Sequence, residues 1–293
     1  MVPTPPRRLF LEGLRHPGTT ARDVATRRAS AEPTRPHASL EQRFTFETIV
    51  ERRGPTTMCS VVDKRTRQPL TLTTYELSGT AEWEGWDRFV HGCIVLRSLR
   101  HGGVPSYVEH GEHGSVAYLL TSRVPGRSLR HRIASGERFS DLKLWHILRK
   151  GLGVLRYLHE LNPPVFHGGL EPSTVFVSER GELMLVGFDR AASMLSTYDP
   201  LAAISLDGSP AEGFAAPELR RQPPRAASDV FAFAATLLAL ATGQQPATLP
   251  RTGDTYDPAS CMRPSELCDA LAALLHVDPE LRHAAARRLE RAR

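Results

Sequence analysis

The spacing of apolar residues changes once along the chain, and that change constrains the fold more than any other feature. From Phe44 onward the first runs are short. Phe46–Val50, Met58–Asp63 and Leu70–Leu77 read as strands separated by turns. Trp86–Leu99 then carries Phe89, Cys93, Leu96 and Leu99 at helical spacing. Tyr107–Glu109 and Val116–Thr121 read as two more strands. After Gly126 the pattern turns helical. Trp145–Leu161 is amphipathic and is stopped by Asn162-Pro163-Pro164. Two short strands, Val175–Val177 and Leu183–Val186, precede helices over Ala227–Thr242, Pro264–His276 and the stretch from Pro279. A small β-rich part with one helix followed by a larger helical part is an α+β, two-lobed architecture.

Residues 1–42 lack this patterning. They are rich in Pro, Arg, Thr and Ala and read as a basic, disordered arm. The arm holds Arg27-Arg28-Ala29-Ser30, a pattern that basophilic kinases favour, and a phosphate there would reduce its positive charge. The folded part is expected over 43–293, with a small lobe near 43–121 and a large lobe near 126–293. Apolar residues make up 41% and charged residues 24%, as in globular domains. No run of about 18 apolar residues occurs, so no transmembrane segment is expected. The four cysteines form no CxxC pair, which predicts reduced thiols, a cytoplasmic setting and no metal site. The net charge of +5 reads first as solubility; binding of nucleic acid or acidic surfaces through the arm is the less favoured reading.

Five short segments carry more specific information. They are His167-Gly168-Gly169-Leu170-Glu171-Pro172-Ser173-Thr174, Val186-Gly187-Phe188-Asp189, Ala216-Pro217-Glu218, Ser228-Asp229-Val230-Phe231 and Asp278-Pro279-Glu280-Leu281-Arg282. In this order they resemble the catalytic loop H-R-D-L-K-P-x-N, D-F-G, A-P-E, the start of the central large-lobe helix and the late D-P-x-x-R of eukaryotic-type Ser/Thr protein kinases. Each motif alone is weak, but five in order are specific. The Arg-rich composition leans toward the bacterial branch. The resemblance places Leu70–Thr73 on V-A-I-K, Arg88–His101 on the αC helix, and Thr121 at the gatekeeper before a hinge through Val124-Pro125-Gly126. Ala191–Ala211, with Ser193, Ser196, Thr197, Ser205 and Ser209, becomes the activation segment.

Kinase chemistry is mostly positioning and charge neutralisation around the nucleotide phosphates. The parts that do this are missing here. The three glycine positions of the phosphate loop fall on Glu51, Arg53 and Thr56. The β3 lysine is Thr73, and its αC glutamate partner is Gly92. The catalytic base is Gly169, the loop lysine is Glu171, and the two metal-binding positions are Thr174 and Gly187. Magnesium wants carboxylate oxygens, and these positions supply none. Displaced residues such as Arg52, Arg53, Lys64, Glu171 or Asp189 would have to replace base, metal and phosphate clamp together. The adenine-slot positions are Thr71 and Met58, and Thr71 is larger and more polar than the usual alanine.

The positions that hold a kinase fold together match. His167, Phe188 and Leu96 fit the apolar spine between the lobes, Asp229 fits the group that braces the catalytic loop, and Glu218 and Arg282 fit the buried ion pair of the large lobe. The resemblance therefore implies a pseudokinase with no catalytic residues, no metal, and weak or absent ATP and Mg²⁺ binding. It would act as a scaffold or allosteric regulator for a protein partner, such as an active kinase or its substrate. An atypical phosphotransferase is the alternative.

Overall fold

The computed structural model describes residues 40–76, 82–113, 116–193, 213–244 and 248–291. The expected arm at 1–42 lies almost wholly outside the described residues, as does most of the segment Ala191–Ala211. Residues 40–43 are an exception to the arm. They form a helical turn, α1 (Leu40–Arg43), and Leu40 is buried against Phe44, Cys59, Val61, Leu70, Leu72 and Leu120. The folded part therefore begins before residue 43.

The small lobe is a five-stranded antiparallel sheet in the order β1-β2-β3-β5-β4. Its strands are β1 (Phe44–Arg53), β2 (Thr56–Asp63), β3 (Pro69–Glu76), β4 (Tyr107–His113) and β5 (Val116–Ser122). β1 and β2 form a hairpin through Gly54-Pro55, where Gly54 has φ +53°, a conformation that favours glycine. One helix, α2 (Glu82–Ser98), crosses the sheet. It buries Phe89 and Cys93 against Ala117, and Phe89 meets the Tyr75 ring edge-on at 5.1 Å.

The large lobe follows a short linker. Its elements include β6 (Arg127–Ser128), α3 (Leu129–Ala134), α4 (Asp141–His159), β7 (Val165–Phe166), β8 (Val175–Val177) and β9 (Leu183–Leu185). After these come β10 (Ala192–Ser193), α5 (Ala226–Thr242), α6 (Glu266–Leu274) and α7 (Pro279–Arg291). α4 starts earlier than its apolar stripe because the Ser140 hydroxyl accepts the Lys143 N–H and caps it. α6 is shorter than its pattern because Ser265 caps it in the same way, at Cys268. α5 is apolar on all sides, and every residue from Ala227 to Leu240 is buried, which makes it the axis of the lobe. α4 packs on it through Gly151, where a Cβ would lie 1.9 Å from the Phe233 ring. The result is a β-rich small lobe and a helical large lobe, an α+β kinase-like fold. No helix among the described residues is long and apolar enough to cross a membrane.

Candidate functional site at the lobe interface

A cavity lies between the β1–β2 hairpin and β3 on one side and the loops after β7 and β9 on the other. Its volume is about 50 Å³. Sites for drug-sized ligands are usually ~300–1,000 Å³. Glu51, Arg53, Thr56, Met58, Thr73 and Thr121 line its small-lobe side, and Gly92 and Leu96 reach it from α2. Thr174, Gly187, Phe188 and Asp189 line the opposite wall. The fold brings these sequence-predicted positions together. Thr71, His167, Gly169 and Glu171 do not line the cavity.

Arg53 occupies the inner end. Its guanidinium donates to both carboxylate oxygens of Asp189, at 2.7 and 3.0 Å. The Asp189 charge holds the Arg53 pKa above its ordinary value. Both residues stood as separate candidates for displaced phosphate and metal ligands; here each is engaged by the other. At the mouth, Glu51 accepts from the Ser128 hydroxyl and from the Arg130 guanidinium. Arg130 also donates to the Arg52 carbonyl. Sequence reasoning missed Ser128 and Arg130, because nothing local marks a contact between β1 and a helix so distant in the chain.

Thr71 acts through its hydroxyl. On β3, opposite Ser60 and Thr121, it is buried and accepts the Val124 N–H at 2.9 Å. Val124 lines the cavity, so its backbone donor is already satisfied and is withheld from any ring nitrogen that entered.

The glycines at the altered positions meet specific neighbours. A Cβ on Gly92 would lie 3.1 Å from the Asp189 backbone, so α2 packs directly on the three-residue 3-10 turn Phe188–Arg190. Gly168 has φ +66°, and a Cβ there would lie 2.4 Å from the Arg190 carbonyl oxygen. Gly187 has φ +84°, and its Cβ position is 3.1 Å from Thr174 Cγ2. The Arg190 side chain runs past Gly169, with its stem 3.4 Å from the Cβ position there. Burial lowers the Arg190 pKa.

Around this wall the loop is tightly bonded. Asp229 accepts the N–H groups of His167 and Gly168, at 2.8 and 2.9 Å, and lies 2.9 Å from His159 Nε2. The Thr174 hydroxyl accepts the Glu171 N–H, and its one proton is shared between the Gly169 and Glu171 carbonyl oxygens at 3.2 and 3.0 Å. The Glu171 side chain is buried and accepts from the Ser173 hydroxyl. His167 packs on Phe188 with ring centroids 4.7 Å apart. Farther off, Glu218 pairs with Arg282 at 2.5 Å, and Arg282 is fully buried over the Phe231 ring.

The positions that the resemblance assigns to the metal carry Thr174 and Gly187, which offer no carboxylate, and Asp189 is bonded to Arg53. Among the described residues no group of three or more His, Cys, Asp or Glu side chains could hold a metal.

Comparison with known proteins agrees with the architecture. The family model of the protein kinase domain matches residues 55–291. Serine/threonine-protein kinase CTR1 of Arabidopsis thaliana is 27% identical over 189 residues, covering 57% of this chain and 22% of that protein. Probable serine/threonine-protein kinase PknB of Corynebacterium glutamicum is 23% identical over 211 residues, covering 71% of this chain and 32% of that protein. Serine/threonine-protein kinase B of Synechocystis is 26% identical over 152 residues, or 50% and 26% of the two chains. The chain thus spans about a third or less of the length of these relatives. With a family match across nearly all of the folded part and the two-lobed architecture, the chain belongs to the protein kinase family.

Proposed function

We propose that this domain is a pseudokinase, a kinase fold that binds a protein partner and transfers no phosphoryl group. The observation that carries the reading is the Arg53–Asp189 ion pair in a cavity of about 50 Å³. The nearest carboxylate to the expected metal position is committed to an arginine of the same chain. No side chain stands at Gly169 to take a proton, and neither Thr73 nor Gly92 offers a charge to clamp phosphates. Each missing group of this kind is worth several kcal/mol of transition-state stabilisation. Fold-holding contacts at Asp229 and at Glu218–Arg282 are intact, which supports a selected, folded role over decay. A partner such as an active kinase or its substrate fits a fold of this family. The four free cysteines fit a reducing, cytoplasmic setting.

A thermal-unfolding scan with ATP or ADP, with and without Mg²⁺ or Mn²⁺, tests the reading. A ligand of the native state must raise the melting temperature by mass action. The expected result is no shift at millimolar nucleotide. A metal-dependent rise together with labelled phosphate transfer to protein would replace this proposal with an atypical kinase.

A further inference from the structure

The β1–β2 hairpin reaches across the lobe interface and is fastened to the large lobe at two separate points. At the mouth of the cleft, Glu51 is held by Ser128 and by Arg130, which also grips the Arg52 carbonyl. At the inner end, Arg53 is bonded twice to Asp189. These contacts join residues 77 to 136 positions apart in the chain, so they are tertiary and independent of the hairpin's own ladder.

The carboxylate of each fastening is shielded from water, whereas Arg130 at the outer one is half exposed. The Glu51 side chain is 9% exposed and that of Asp189 is 10% exposed. Loss of one partner leaves a poorly solvated carboxylate, and the half-exposed outer pair is open to screening by salt. Between them lies an apolar seam of Met58, Val124, Phe176 and Val186, with Val50 and Met184 at its edge. The seam joins β2 of the small lobe to β8 of the large lobe. Lifting the hairpin would break both ion pairs and wet this seam at once.

We propose that the hairpin is a self-latched lid. Its two charge pairs hold the lobes closed without any ligand, and release of either one lets the hairpin open and exposes the seam. Nothing in this device depends on whether phosphate can be transferred, so the phosphate-transfer assay and the exchange measurement fail or succeed separately.

Hydrogen exchange of the full chain, followed by mass spectrometry, tests the lid. The variants are Arg53→Ala, Arg53→Lys and Glu51→Gln. Arg53→Ala and Glu51→Gln should each speed exchange at 50–58 and 184–190 at least tenfold, while α5 keeps its protection. Arg53→Lys, which keeps the charge, should stay within a few-fold of the parent chain. A measurement on the unaltered chain guards against variants that misfold: exchange in the hairpin should rise as NaCl goes from low to molar concentration, with α5 unchanged. Exchange at 50–58 that stays within twofold of the parent in both charge-removing variants, or that ignores salt, overturns the proposal.

Discussion

Thr71 Oγ1 accepts the Val124 N–H at 2.9 Å and so joins the third strand to the linker between the lobes. Both groups are buried. Thr71→Val keeps the shape and removes the acceptor, which leaves the Val124 N–H without a partner. The expected loss is about 1–3 kcal/mol of stability, the usual penalty for an orphaned buried donor. Urea unfolding of the two proteins reads it. Equal midpoints would mean that the Val124 N–H is satisfied by water.

Returning kinase residues to their positions should not return activity. Gly92→Glu puts a Cβ 3.1 Å from the Asp189 backbone, so α2 or the turn must give by a few tenths of an ångström. With Thr73→Lys added, the pair would still face Arg53 and Asp189 already bonded. Gly168→Arg forces a side chain onto φ +66° and against the Arg190 carbonyl. Each glycine replacement should lower stability by about 1–3 kcal/mol, as overpacking and backbone strain do. A labelled-phosphate assay on the double variant should stay at background; measurable transfer would show that the side chains alone were limiting.

The Glu218–Arg282 pair should dominate the stability of the large lobe. Arg282 is fully buried, donates to Glu218 and to the His276 carbonyl, and has burial pulling its pKa down. Glu218→Gln removes the countercharge and strands a guanidinium. A loss of about 3–5 kcal/mol is expected. A cost below about 1 kcal/mol, read from denaturant unfolding, would mean that the pair is structurally dispensable.

Histidine burial sets an acid limit. His167 is fully buried, and burial holds its pKa below the ordinary 6.5; His91 is lowered for the same reason. Val186 O lies 3.1 Å from His167 Nε2, and the Gly169 N–H donates to Nδ1, so the ring fits the neutral form. Near pH 6.5 the unfolded chain takes up protons that the native ring does not. Stability from these residues is therefore complete above about pH 6.5 and declines as pH falls through it. Denaturant midpoints at pH 8 and pH 5.5 should show the drop, and His167→Asn should flatten it. A slope unchanged by that substitution would assign the drop to other groups.

Much of this arrangement was legible in the amino-acid order. The residue pattern placed β3 within one residue at each end and the Val175–Val177 strand in full, because both faces of these strands are covered, whereas β2 starts two residues before Met58, at Thr56. Helix starts were read late at Trp145, since Ser140 caps a polar first turn that adds nothing to an apolar stripe. The altered chemical positions could be named because spacing from well-matched motifs fixes them. Their consequences could not. That Arg53 meets Asp189, that Glu51 meets Arg130, and that the Thr71 hydroxyl turns toward Val124 are all long-range facts. Charge type alone allows many pairings, and only the fold selects among them. The packing of Gly92 on Asp189 was equally hidden: a missing glutamate reads as a loss, whereas the structure uses the bare backbone as a contact surface.

That contact surface has a historical consequence. Where a side chain has merely been exchanged, a single codon change can undo it. At Gly92 and Gly168 a Cβ would press on main-chain atoms, 3.1 Å from the Asp189 backbone and 2.4 Å from the Arg190 carbonyl oxygen, so a side chain there has to displace a neighbouring segment. Restoring a side chain at either place is therefore a change of two segments, and a single substitution meets the cost of both.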